Sequence, residues 1–531
     1  LKRDWTAHNA VSVGPEKSGE LGWWQSKWLL LAVVLIAAIP LLYPSIPPLV
    51  DLPGHMGRYR VQLLGDASPS LMSFYTFQWQ VIGNLGVDLL VEPLAPIFGL
   101  ELAVKLIVLA IPVLTVAGLI WIAREVHGRV PPTVFFALPL AYGHPLHFGF
   151  VNFSLSMALA LNAFALWLRL ARLGRLRLRA IIFVPISGLI WLTHTFGWGA
   201  LGVMAFSAEV VRQHDMGKRW LAGVWPAGVQ CLSLAPPLIL MILWRSGAHV
   251  GGETFDWFNI RVKLTWLLMT LRDRWQWFDL LCIVMILSVV INAWTERGLE
   301  FSRNLGASAI FLLIVFLVLP RVVFGSAYAD MRLTPFMLAI AVIAIRPSRF
   351  ASPRFLSGLA MIGLSFMLVR TAATTASLAM ASNRYDQALV ALDHVPKGAR
   401  MVTFVGNHCG LRWFSDRTEH LGAMAMVRRE AFSNDQWAMA GGQLLGVRFQ
   451  GAPGFDRDPS ELITEHKCSR EYWRTAENAL TRLPRAAFSY VWLLNPPPIK
   501  PEWLEGLRLI WTNGRDRLYA VIQNVPEKPS Q

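Results

Sequence analysis

Charge is scarce in this 531-residue chain: Asp, Glu, Lys and Arg together make up 16%, against about 25% in an ordinary soluble domain. That shortfall excludes a soluble enzyme. The acidic sign is the scarcer one, 34 residues against 49 basic, leaving a formal net charge of +15. No internal repeat and no low-complexity tract is present, which argues against a transporter built from repeated halves. What fills the chain instead is apolar bulk, 54% hydrophobic residues with 29 Phe and 23 Trp and a mean hydropathy of +0.43. A segment that stayed solvated would not carry that much large apolar surface, so a disordered chain is excluded too.

A window of about 19 residues finds repeated runs long enough to cross roughly 30 Å of hydrocarbon. They fall at 28–43, 102–123, 131–145, 150–168, 180–195, 198–211, 222–243, 278–294, 305–320, 333–346 and 355–372, eleven in all. A twelfth, weaker run at 84–99 carries Asp88, Glu92, Pro93 and Pro96 and reads as a partly buried or re-entrant helix. The first run follows polar sequence and has no small-residue cleavage site behind it, so it is expected to be a span and not a signal peptide.

Lys and Arg in short loops set the orientation. Arg169, Arg172, Arg175, Arg177 and Arg179 form the strongest such signal, and they are expected on the cytoplasmic side. Counting spans from there puts Arg212, Lys218 and Arg219, then Arg297 and Arg303, then Arg346, Arg349 and Arg354 on the same face. The N-terminal segment 1–27 is then cytoplasmic, 28–372 is the membrane domain with a long first outer loop at about 44–100, and 373–531 is periplasmic. Part of the +15 charge is thus an orientation signal, and no nucleic-acid partner is expected. Beyond 373 the texture becomes α/β, with RMVTFV, FSYVWLL, LRLIW and RLYAVI as strands and helices near 378–393 and 471–483. Cys231 and Cys282 lie in expected spans, whereas Cys409 and Cys468 lie in the outer domain. An oxidising periplasm would let the latter two close a long loop as a disulfide; two unbridged thiols is the alternative.

The outer loops carry the candidate chemistry. The first opens YPSIPPLVDLPGHMGRYR and places Asp51, His55, Arg58 and Arg60 just past the first span. Asp51 and His55 are four apart and could share a helix face, where a carboxylate can take a proton from a hydroxyl or amine. Asp51 is equally an N-cap before Leu52-Pro53, and the residues alone do not choose. A second pair of loops holds His144, His147 and Asn152 in GHPLHFGFVNF and His194 in LTHTFGWG. Their spacing matches no metal motif, so no metal ligand is assigned, and an interfacial histidine among aromatics is ordinarily a hydrogen-bonded anchor. The loop at 244–277 mixes Arg245, Glu253, Asp256, Arg261, Lys263, Arg272 and Arg274 with five tryptophans, as a headgroup belt or the lining of a lipid groove. Arg321 and Arg332 lie on the side where retained cations are disfavoured; Arg332, directly before the run at 333–346, would seek a phosphate or carboxylate, or snorkel to headgroups.

This layout, with Asp51 in DLPGHMGRY and Arg332 in RLTP, resembles the GT-C superfamily of membrane glycosyltransferases. The resemblance implies a polytopic α-helical membrane protein of about 11 to 12 spans with a C-terminal extracytoplasmic α/β domain, in a bacterial inner membrane. It implies an inverting transfer of sugar from a polyprenyl-phosphate donor to a lipid, glycan or protein acceptor. Asp51 would be the general base, with His55 orienting it or touching a sugar hydroxyl. Arg332, with Arg321 and Arg58, would hold donor phosphate, and His144, His147, Asn152 and His194 would be available to substrate. No cofactor follows; a divalent metal stays open, although the first loop lacks the paired acidic residues seen in many members. A flippase for lipid-linked oligosaccharide and a membrane-anchored envelope assembly protein are the competing classes.

Overall fold

The computed structural model describes residues 22–247, 252–410, 412–414, 417–437 and 442–522. Most of the expected segment 1–27 and part of the expected loop 244–277 fall outside them. Five helices are long and apolar enough to cross a membrane: Leu100–His127, Val151–Arg172, Leu176–Thr193, Gln276–Thr295 and Pro353–His394. Trp220–Leu234 and Pro237–Leu243 make a sixth if their 66° bend lies within one span, and Lys27–Leu42 and Arg303–Val318 are shorter apolar helices. Helix occupies the expected runs, but 28–43 and 222–243 are each broken, and 131–145 is not one helix. Three short turns, Val134–Ala137, Leu138–Tyr142 and His144–Phe148, replace it. Pro139, Gly143 and Pro145 interrupt the ladder there, since proline lacks the N–H that a continuing helix needs. The weaker run forms a helix, Gly86–Phe98, with Pro93 and Pro96 inside it.

The chain divides into two compact units. The helical unit comprises Leu1–Tyr43, Val81–Leu90 and Lys105–Ser377; the sheet unit comprises Pro44–Gln80, Val91–Val104 and Leu378–Gln531. The expected boundary near 373 therefore falls inside helix Pro353–Leu389, and most of the first outer loop groups with the C-terminal residues.

In the helical unit, close packing takes the place of hydrophobic burial as the cohesive force between helices. A Cβ on Gly197 would lie 2.5 Å from Ser156 Oγ and 2.6 Å from the Ser156 carbonyl oxygen, so only glycine lets Thr195–Asp215 approach Val151–Arg172 this closely. Three buried cations meet carboxylates. Arg179 meets Glu209 and lies 3.9 Å over the Trp167 ring, Lys263 Nζ is 3.3 Å from Asp330, and Arg370 meets Asp279. This corrects the reading of Arg179 as a loop cation: at 1% exposure it lies inside Leu176–Thr193 and neutralises an interior carboxylate. Lys263, read as part of an exposed belt, also donates to the Phe316 and Leu319 carbonyls at 2.7 Å each.

The sheet unit has a six-stranded sheet ordered Arg474–Thr475, Leu462–Thr464, Met401–Gly406, Tyr490–Leu494, Asp516–Val521, Leu507–Asn513. The first three pairings are parallel and the last two antiparallel. Met401 to Val405 are buried without alternation, as expected of a parallel strand covered on both faces. The first-loop residues join this unit through backbone and core: Tyr75–Phe77 pairs antiparallel with Leu445–Val447, and the Tyr75 hydroxyl donates to the Ser433 carbonyl at 2.8 Å. Tyr75 also stacks on Phe432 within one apolar cluster. Cys409 and Cys468 are joined as a disulfide with their Cα atoms 5.3 Å apart, 59 residues apart in sequence.

Candidate functional site

Helix Leu52–Leu64 of the sheet unit carries the first group of candidate residues. Pro53 in its first turn pre-sets the backbone, and Asp51 holds the N-cap position. The Asp51 side chain makes no capping hydrogen bond. It turns instead toward His420, whose Nε2 is 3.8 Å from Asp51 Oδ1. The helix can come this close to the C-terminal residues because Gly57 has no side chain: a Cβ there would meet Gln436 Nε2 and Met426 Sδ at 2.9 Å. Gln436 Nε2 also donates to the Gly54 carbonyl at 3.0 Å, fixing the first turn.

His420 is buried, and its Nδ1 lies 3.2 Å from the Asp435 carbonyl oxygen. A carbonyl can only accept, so Nδ1 carries a proton and Nε2 faces Asp51. Burial pushes the imidazole pKa down, but Asp51, Asp458 and Asp435 push it up, and the net direction is up. Asp435 is pushed up to about 7, chiefly by burial, with His420 and the Ser433 hydroxyl pulling against it. His55 behaves oppositely: burial first, then Arg58 and His420, holds it well below the usual imidazole range, so it is neutral. Its ring lies edge-on to Trp437 at 5.2 Å, and Trp437 lies 5.0 Å from His420, so one indole separates a histidine whose pKa is pushed down from one whose pKa is pushed up. Arg58 is buried, lies 5.1 Å over Tyr59 and donates to Gln443 Oε1 at 3.3 Å. This arrangement supplies a carboxylate with a proton-bearing imidazole beside it, the kind of pair that positions a general base.

In the helical unit, Arg332 sits in the first turn of Ala329–Ile343. Its guanidinium is 4.1 Å over Phe150 and within 6 Å of Phe153 and Phe196. Its Nη2 donates to Ser326 Oγ and the Ala327 carbonyl at 3.2 Å each. His194 packs edge-on to Phe153 at 5.7 Å, and its Nδ1 accepts from the Phe196 N–H at 3.1 Å as the N-cap of Thr195–Asp215. Arg332 and His194 thus share two aromatic rings. The other expected residues are engaged elsewhere. Arg321 pairs with Asp256 at 2.7 Å. Asn152 accepts from the Val87 N–H at 2.6 Å and donates to Asn84 and Asp88, which anchors the start of helix Gly86–Phe98. His144 lies 3.4 Å from Arg272 Nη1, and His147 is buried beside Tyr142.

Sequence reasoning missed His420, Asp435, Asp458 and Glu461. They lie in irregular segments with no spacing motif; the one local signal is the acid-rich stretch DRDPSE at 456–461. Asp458 also lines a cavity of about 830 Å³, together with Arg448, Arg457, Tyr472 and Arg474.

No protein-family model matches the sequence, and no curated protein matches it either. The crystal structure of ArnT from Cupriavidus metallidurans bound to undecaprenyl phosphate is similar to this chain, with a TM-score of 0.51 and 11% identity over 93% of this chain and 97% of that one. The chain therefore has the fold of ArnT, and the polytopic helical architecture with a C-terminal α/β unit expected from the sequence is borne out.

Proposed function

We propose that this chain is a membrane glycosyltransferase that moves a sugar from a polyprenyl-phosphate donor to an extracytoplasmic acceptor. The observation that carries the reading is the fold shared with ArnT along nearly the whole chain, since that protein's structure holds undecaprenyl phosphate. In the proposed step an acceptor hydroxyl or amine attacks the anomeric carbon. Asp51 takes the acceptor's proton, the bond from the anomeric carbon to the phosphate oxygen breaks, and its electron pair leaves with the phosphate. Direct displacement gives inversion. Arg332 offers a guanidinium for the charge growing on that phosphate, which is where a fixed cation lowers the barrier most. His420 positions Asp51, while His55, neutral and held between Tyr59 and Trp437, is free of charge that would compete for the carboxylate.

Arg58 supports helix Leu52–Leu64 from its buried place beside Tyr59, and we assign phosphate contact to Arg332 ahead of Arg58 or Arg321, because Asp256 already counters the charge of Arg321. His194 is the histidine we assign beside the donor, since it shares Phe153 and Phe196 with Arg332. The chain would lie in a bacterial inner membrane with residues 373–531 in the periplasm. Purified protein incubated with a radiolabelled polyprenyl-phosphate sugar and extracted envelope acceptors tests the reading: label should move to an acceptor with inverted anomeric configuration. Label that stays on the polyprenyl lipid with every acceptor fraction would refute it.

A further inference from the structure

An imidazole and two carboxylates converge in the sheet unit: His420, Asp458 and Glu461 place one ligand atom each within 4.8 Å of the others. Acidic clusters are common, so the decisive residue is Glu461. It is fully buried, and neither of its carboxylate oxygens meets a hydrogen-bond donor among the described residues. Its backbone is fixed, with the Glu461 carbonyl accepting from the Val405 N–H at 2.7 Å at the edge of strand Met401–Gly406. One of its oxygens lies within 4.8 Å of an Asp458 carboxylate oxygen. A buried carboxylate with no donor is costly, and two carboxylates this close need a proton or a cation between them.

We propose that His420, Asp458 and Glu461 form a site for one first-row divalent cation of the Zn²⁺ or Mn²⁺ type. The donor set fits. One imidazole nitrogen and two carboxylates suit these ions, and two negative ligands with a neutral imidazole balance a charge of +2. Imidazoles that bind metal ordinarily donate their second nitrogen to a backbone carbonyl, which is what His420 Nδ1 does to Asp435. Access exists as well, because Asp458 is half-buried and lines the 830 Å³ cavity. The chain holds the ligands firmly: the Asp458 N–H donates to the Gln436 carbonyl at 3.1 Å, and Ser460 Oγ accepts from Asn434 Nδ2 at 3.0 Å. An ion on His420 would take the Nε2 that otherwise faces Asp51, so the proposal is tested by bound metal and thermal midpoint, without sugar transfer as a readout.

The test uses full-length protein in detergent, stripped with a chelator, dialysed and titrated with ZnCl2 or MnCl2. Bound metal is counted by mass spectrometry and the thermal midpoint is followed alongside. Wild type should retain one ion per chain and gain several degrees in midpoint. Glu461→Gln and Asp458→Asn should each weaken binding by more than about 100-fold, while Glu465→Gln, at an exposed neighbouring position, should bind as wild type does. Asp458 is only half-buried, so its variant keeps the test decisive if the Glu461 variant does not fold. Overturning results are a wild type that retains no ion above the level of Asp458→Asn, or a Glu461→Gln variant that is more stable than wild type with no change in metal uptake. The second of these would mean that a proton holds the carboxylate pair. A protein that binds the ion but transfers no sugar would count against the transferase reading alone.

Discussion

Buried charge is handled differently in the two units. In the helical unit three interior cations each meet a carboxylate: Arg179 with Glu209, Lys263 with Asp330, Arg370 with Asp279. Removing charges from water is expensive, and such pairs recover that cost only when matched and hydrogen-bonded. Balanced pairs of this kind hold helices together. The sheet unit instead gathers Asp51, Asp435, Asp458 and Glu461 around a single imidazole. Carboxylates crowded together out of water raise one another's pKa values, and such clusters are candidates for binding or chemistry.

The sharpest way to break this contrast is to unbalance a pair. Glu209→Ala leaves Arg179 buried beside Arg212 and should cost about 3–5 kcal/mol, read as a fall in the thermal midpoint in matched detergent; a loss under 1 kcal/mol would show that the pair does not hold the helices. Reducing Cys409–Cys468 should cost the sheet unit about 2–4 kcal/mol, because the bridge closes a 59-residue separation. That loss should leave the helical unit's near-ultraviolet signal intact, and a loss of both signals together would deny the units their separate cores. Arg332→Ala should weaken donor-lipid binding roughly 10- to 100-fold, the worth of charge-assisted hydrogen bonds. Its stability should change little, which distinguishes it from Arg179; titration with a fluorescent polyprenyl phosphate measures the binding.

The smallest effect tests a pair in the sheet unit in which the buried Glu430 meets the exposed Lys397 at 2.8 Å. Burial raises the Glu430 pKa, but Lys397 and the Ser68 hydroxyl lower it further, so the net direction is below its ordinary value of 4.5. A depressed carboxylate stabilises the fold above 4.5 and loses that contribution as pH falls through its folded value. Glu430→Gln should therefore cost up to about 1 kcal/mol at neutral pH. The gap to wild type should close in acid, as followed by midpoints across pH; a gap that widened in acid would reverse the assignment.

Much of the fold was legible because hydrophobic runs of membrane length and a change of texture near 373 are local signals. Pro139, Gly143 and Pro145 were also visible, yet the run at 131–145 is apolar enough to pass a hydropathy window while its backbone cannot continue as one helix. Arg179 was misjudged for a related reason: loop counting treats an arginine by position, and only packing reveals Glu209 one helix away. At the candidate site, Asp51, His55, Arg58, Arg332 and His194 stood out from their local setting. Asn152 stood out too, but its three polar contacts anchor a helix. His420 stayed hidden because the contact that gives it meaning crosses 369 residues to Asp51, and no period or spacing encodes such a pairing.

The role of Asp51 as the base is tested most directly by single-turnover transfer with Asp51→Asn, a nearly isosteric change that removes the proton acceptor. Donor lipid should bind as to wild type while sugar transfer slows by about a hundred- to ten-thousand-fold. Transfer at the wild-type rate, with donor binding unchanged, would contradict the account.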